Sequence, residues 1–143
     1  MTDRLSPRLA AVVEALPLTP SMRVLEVGCG PGAAARAVAE RLTDGFLLAV
    51  DRSAKAIALA EAGSTELVAA GRLRFETTSV EDLALPDGEP HFDLAFAIRV
   101  GALDGRHPAT GKRALARLRE VLTPTGRLFV DGGDPLRELD LGR

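Results

Sequence analysis

VLEVGCGPG, residues 24–32, decides the fold. Residues 23–27 are a short run rich in Leu and Val that stops at Gly28. A run of this kind, ended by a turn signal, reads as a mostly buried strand. The glycines after it allow a tight turn and let a ligand approach the backbone closely. Residues 33–42 are Ala-rich, with Val38 and Leu42 one helical turn apart. A helix starting there presents unpaired N–H groups and the positive end of its dipole to an anion. Gly28, Gly30 and Ala33 satisfy the Gly-x-Gly-x-x-Gly/Ala spacing of dinucleotide binders. The blander reading is a glycine turn that only joins strand to helix.

Working outward, residues 6–16 carry Leu9, Val12, Val13 and Leu16 at helical spacing, between Ser6-Pro7 and Pro17. On the other side, residues 46–50 predict a second strand ending at Asp51. Ser53 is placed to cap a helix that Gly63 ends, and 65–70 add another turn. Residues 73–77 alternate as a third strand, and 92–98 form a fourth. Residues 109–122 read as a helix with Leu115, Leu118 and Leu122 on one stripe, 123–126 as a turn and 127–130 as a fifth strand. The last dozen residues are polar and Gly-rich, with no further strand signal. Strands alternating with helices predict an α/β fold: a Rossmann-like, doubly wound, mainly parallel sheet of about five strands, order 3-2-1-4-5, with helices on both faces. One domain is expected over 1–143, with an N-terminal helix in 1–20, a ligand-binding core in 21–131 and a tail in 132–143.

Composition narrows the function. Apolar residues make up 46% and charged residues 27%, which suits a globular domain. Five Phe are the only aromatic residues, so bases have little to stack on. The net charge of −2 and the absence of a basic stripe argue against nucleic acid. One cysteine and two separated histidines predict no disulfide and no metal site. No apolar run is long enough to span a membrane and no signal-peptide stretch is visible, so a cytoplasmic protein is the default expectation.

Asp51 is the second chemical element. It follows the second strand, 23 residues after Gly28. A carboxylate there can accept hydrogen bonds from both ribose hydroxyls of an adenosine. Alone, it could equally be a solvated strand-end Asp or a helix cap.

Together these residues resemble the class I S-adenosylmethionine-dependent methyltransferases, over almost the whole chain. VLEVGCGPG at 24–32 is similar to the family's first motif, with an acidic residue two before the first glycine. AVDRS at 49–53 is similar to its second, and TTSVEDLALPDGEPHFDLAFA at 77–97 to its third block and fourth strand. LREVLTPTGRLFV at 118–130 resembles the helix, turn and fifth strand that close its core. That last block and Glu26 have no counterpart in the dinucleotide fingerprint, which favours S-adenosylmethionine over NAD(P). The resemblance implies that Gly28, Cys29, Gly30 and Gly32 form the loop around the methionine moiety. Glu26 would hold its ammonium through water, Asp51 the ribose and Arg52 the adenine face. Ser79 and Val80 would meet the adenine edge, and residues 97–99, Ile98 among them, would lie beneath the sulfonium. Ser79 departs from the family, which usually has Asp there; Glu81 or Asp82 could substitute.

No catalytic motif is visible. Methyl transfer rests largely on positioning, and a base is needed only if the acceptor must lose a proton. Three candidates stand near the expected ligand edge. His107 could be a base near Asp104, Arg99 could orient an anionic acceptor, and Asp131 ends the fifth strand. Each has an ordinary surface reading beside it. The resemblance leads to a methyltransferase with a small-molecule acceptor. The alternatives are a catalytically reduced relative that binds S-adenosylmethionine or a partner, and an NAD(P)-binding oxidoreductase. The family's sheet usually continues past the fifth strand, where this sequence shows no strand. The exposed edge should then be covered by the tail, a second copy in a homodimer, or a partner.

Overall fold

The computed structural model describes residues 5–103 and 105–143. Asp104, expected near His107, lies outside them. Helix α1 (Pro7–Ala15) starts as expected: the Ser6 hydroxyl accepts the Leu9 N–H and Pro7 occupies the first turn, where no N–H is needed. There follow β1 (Arg23–Val27), α2 (Ala33–Arg41), β2 (Phe46–Asp51), α3 (Ala54–Ala62), α4 (Thr65–Ala69), β3 (Leu73–Thr77) and β4 (Phe92–Ala97). A short 3-10 turn (Gly101–Leu103), α5 (Pro108–Val121), β5 (Leu122–Asp131) and β6 (Leu136–Leu139) complete the chain.

One sheet has the order β3-β2-β1-β4-β5-β6. The first five strands are parallel, in the order the sequence predicts. Successive residues of a strand face opposite sides, and both sides are apolar here. On β2, Leu47 and Ala49 join one core cluster with Val13, Val38 and Ile57 of α1, α2 and α3. Leu48 and Val50 join the other with Leu103, Leu118 and Val121 of the 3-10 turn and α5. Helices therefore cover both faces.

Alanine sets the distance between α2 and the sheet. Ala35 and Ala39 are fully buried on its inner face, beside fully buried Val38. Ala35→Leu has no space to fill and should cost about 1–3 kcal/mol, read as a lower urea midpoint at unchanged m-value.

Two expectations near the C-terminus need correction. Leu122 does not end the helix; it opens β5, pairing with Phe92. The next pair is Leu94 with Arg127, so residues 123–126 bulge out opposite Asp93. The expected turn is this bulge inside a longer strand. The tail also contains a strand. β6 runs antiparallel to β5, with Leu128 opposite Leu139 and Val130 opposite Arg137. Of the three expected covers for the β5 edge, the tail is the one observed. Arg127 adds a two-pronged ion pair to Glu138, 2.7 and 3.0 Å long, solvent-exposed and so of little energetic weight.

The chain leaves β1 towards β2 and β3 on one side, then crosses to β4, β5 and β6 on the other. The crevice at the C-terminal ends of β1 and β4 is thus the switch point, where open α/β sheets take their ligands. No helix among the described residues is long and apolar enough to cross a membrane.

Candidate functional site

The glycine turn is fixed by the neighbouring strand. The N–H groups of Gly28 and Cys29 both donate to the Val50 carbonyl, at 2.8 and 3.0 Å. Gly28 has φ +72°, and a Cβ there would stand 2.7 Å from Val100 Cγ2. Backbone conformation and close approach both demand glycine. Gly28→Ala should therefore distort the turn and weaken ligand binding about tenfold or more, measurable by calorimetry. Gly32 has another task. It lines neither cavity described below, and a Cβ on it would meet Ala60 at 3.0 Å. It opens α2 in a left-handed conformation (φ +91°) and lets α3 pack close.

Asp51 holds the turn in place. Its Oδ2 accepts the Gly30 N–H at 2.8 Å and its Oδ1 accepts the Ser53 N–H at 2.9 Å. Each carboxylate oxygen has a second lone pair for a ligand donor.

Two cavities meet at this turn. The first, about 460 Å³, is lined by Gly28, Asp51, Arg52, Ser79, Val80 and Glu81, and by residues 99–102 with Arg106, His107 and Thr110. The second, about 390 Å³, is lined by Glu26, Gly28, Cys29, Gly30, Ile98 and Arg99, and by Ser6, Arg8 and Leu9 of the first turn of α1. Gly28 and Arg99 belong to both.

Glu26 lies on β1 at the floor of the second cavity. It is 3% exposed, and its Oε1 has no hydrogen-bond partner. Burial, and secondly the charge on Asp51, push its carboxyl up to about 8. A buried polar atom without a partner is costly unless something arrives to satisfy it. Cys29 is buried and its thiol is pushed up by burial, then by Glu26 and Asp51, so it stays protonated and unreactive. Its Sγ lies 3.5 Å from the Gly30 carbonyl.

Ser79 does not act alone. Its hydroxyl donates to Asp82 Oδ2 at 2.9 Å, leaving the oxygen lone pairs as acceptors polarised by a carboxylate. Val80 is buried and supplies an apolar wall.

Of the three catalytic candidates, Asp131 has both carboxylate oxygens bonded within the protein. Its Oδ1 accepts the Arg99 N–H at 3.0 Å and its Oδ2 the Arg8 guanidinium at 2.9 Å. Arg99 has φ +58°, a left-handed conformation that costs a non-glycine residue on the order of 1 kcal/mol. Its anchored amide holds that turn. His107 precedes α5 and lines the first cavity. His91 lines an open groove that Glu138 and Arg143 also line, away from both cavities. Sequence reasoning missed Arg8 and Val100. Arg8 reaches Asp131 across 123 residues, a pairing no local pattern encodes. No group of three metal-ligand side chains occurs among the described residues.

A doubly wound sheet with a glycine turn after β1, a carboxylate after β2 and cavities on both sides of the switch point defines a nucleoside-binding α/β protein. Comparison narrows the class. Residues 24–126 match the family model described as "Methyltransferase domain". The chain belongs to this family, within the class I S-adenosylmethionine-dependent methyltransferases. It is 36% identical to protein-L-isoaspartate O-methyltransferase of Methylorubrum populi, over 92% of this chain and 56% of that protein. It is 34% identical to trans-aconitate 2-methyltransferase of Deinococcus radiodurans, over 80% of this chain and 39% of that protein. The solved structure of the cyclase SpnF aligns with a TM-score of 0.70 at 29% identity, over 85% of this chain and 42% of that one. The chain spans between about a third and just over half of the length of the curated relatives it matches.

Proposed function

We propose that this chain binds S-adenosylmethionine across the switch point and transfers its methyl group to a small-molecule acceptor. The observation that carries the reading is the unpartnered, buried Glu26 carboxyl on one side of Gly28, with Asp51 on the other. A ligand with a cationic end and a ribose fits that pair. The positive charge of an oxidised NAD(P) nicotinamide is spread over an aromatic ring with no N–H on the charged nitrogen, so it offers Glu26 no ammonium to pair with.

In this assignment Asp51 accepts the two ribose hydroxyls, and Arg52, Val80 and the Ser79 oxygen frame the adenine. Glu26 faces the methionine ammonium, with Gly28, Cys29 and Gly30 along the methionine and Ile98 beneath the sulfonium. The bound cofactor supplies an electrophilic methyl on a cationic sulfur. The protein's own contribution is orientation and the exclusion of water. A small acceptor suits the acidic surface without a basic stripe. Two relatives carry acceptors in their names, trans-aconitate and protein L-isoaspartate.

Calorimetry with S-adenosylmethionine, S-adenosylhomocysteine and NAD(P) tests the reading; binding of NAD(P) alone sinks it. Glu26 adds a specific expectation. A carboxyl that titrates at about 8 in the empty protein is mostly protonated at pH 7 and must ionise to meet an ammonium. Binding should therefore release close to one proton at pH 7, seen as a dependence of the observed enthalpy on the buffer's ionisation enthalpy. A second reading is favoured by the likeness to a cyclase. In it the same cofactor site serves another chemistry, and it predicts tight cofactor binding with no methyl transfer across an acceptor panel.

A further inference from the structure

The acceptor's chemistry can be read from what surrounds the junction of the two cavities. Among the described residues, the second cavity is lined by two arginines, Arg8 and Arg99, and by two other ionisable groups, Glu26 and Cys29. Neither can serve as a base there. Glu26 is committed to the cofactor's cation under the proposed function, and the Cys29 thiol is held protonated. Asp131, close by, has both oxygens engaged by Arg99 N–H and Arg8. His107 and Glu81 line only the first cavity. A phenol, alcohol or ammonium acceptor must shed a proton and finds no base among the described residues that line the second cavity. A carboxylate is already ionised at neutral pH and needs none.

The cations are placed for such an acceptor. Arg8 is neutralised by Asp131, whereas the exposed Arg99 guanidinium has no hydrogen bond or ion pair among the described residues. Arg99 lines both cavities, beside Gly28, where the sulfonium would pass. Its backbone is held in a left-handed turn by Asp131 rather than by its side chain, which is left to meet a ligand. A guanidinium offers a carboxylate two parallel N–H donors.

We propose that the acceptor is a small carboxylic acid, oriented by the Arg99 guanidinium where the two cavities meet and methylated on a carboxylate oxygen. A lone pair of that oxygen forms the new O–CH3 bond as the S–CH3 bond breaks. The bonding pair stays on sulfur, giving the neutral thioether, and no proton is transferred. An acid with a second carboxylate suits the site best, one group reacting while the other holds Arg99.

The inference rests on the proposed cofactor site, so the test begins there. S-adenosylhomocysteine is first titrated into the full chain; failure to bind overturns the cofactor reading itself. The saturated complex is then titrated with tricarballylate, succinate and benzoate, and with tricarballylamide as the uncharged control. The acids should bind and the amide should not. Arg99→Met should weaken acid binding tenfold or more, Arg99→Lys should recover part of the loss, and the affinity for S-adenosylhomocysteine should change less than threefold. With S-adenosylmethionine, acids of the class that binds should gain one methyl as a base-labile ester, with the KM for the acid raised in Arg99→Met more than kcat is lowered. Acids that do not bind the complex, or bind wild type and Arg99→Met equally, overturn the assignment. So does methylation of phenols or amines with none of acids.

Discussion

Asp51→Ala lowers the affinity for S-adenosylmethionine about 100-fold, close to 3 kcal/mol, as calorimetry should show. Two losses combine. The ribose loses its charged acceptor, and hydrogen bonds to charged groups contribute about 1.5–3 kcal/mol each. The glycine turn also loses its anchor, because the Gly30 and Ser53 N–H groups both end on this carboxylate. Asp51→Asn separates the two effects: its one carbonyl oxygen can keep the Gly30 bond while the amide nitrogen faces the hydroxyls as a donor. It should bind more weakly than wild type and more tightly than Asp51→Ala. An affinity within threefold of wild type for Asp51→Ala, with the fold intact by circular dichroism, would remove Asp51 from the site.

Glu26→Gln should make the empty protein more stable in mild alkali while crippling it as a cofactor binder. The Glu26 carboxyl is raised to about 8 in the folded state, first by burial and then by Asp51, from an ordinary value of 4.5 in the unfolded chain. Below pH 4.5 both states hold the proton and nothing is lost. As pH rises from there the unfolded chain ionises first, so folded stability falls until pH passes about 8 and then levels. The fall attributable to this group is on the order of 5 kcal/mol. Glutamine cannot ionise and removes that slope. Thermal melts from pH 5 to 9 should show a declining curve for the wild type and a flatter one for Glu26→Gln, the two separating from the acid end of that range up to about pH 8. The same substitution should weaken S-adenosylmethionine binding at least tenfold at pH 8, because a neutral amide replaces the charge facing the ammonium. Parallel pH curves for the two proteins would contradict the burial and the role together.

Most of the scaffold is written locally. Ser6-Pro7 marks the start of α1, Gly63 the end of α3, and the run 23–27 followed by glycine marks β1; the structure agrees within a residue or two. These are signals of propensity and capping that act over one or two turns. β6 escaped because its sequence, Leu-Arg-Glu-Leu, is half charged and follows Gly132, Gly133 and Pro135. A peripheral strand keeps its outer positions wet, so it lacks the apolar run that reveals a central one. The bulge at 123–126 escaped for a related reason: Thr-Pro-Thr-Gly is turn chemistry, and it makes a turn within a strand. In the site, the positions of Gly28, Asp51 and Glu26 followed from their order along the chain. The engagement of Asp131 by Arg8, the pairing of Ser79 with Asp82 and the packing of Val100 over Gly28 depend on tertiary placement, which periodicity does not report.

The bond from Arg8 to Asp131 has a kinetic meaning. It joins the first helix to the end of the fifth strand across 123 residues. Contacts so distant in sequence close late, because the chain must surrender the entropy of a long loop before it gains them. During synthesis the turn at Gly28 can form once β2 has emerged, but the wall contributed by Arg8 and Arg99 waits for Asp131. A polypeptide halted before β5 would therefore own a nucleoside loop without the second cavity's arginine wall. Under the proposed function, methyl transfer would then wait for the last parallel strand, and a half-made chain would consume no methyl donor.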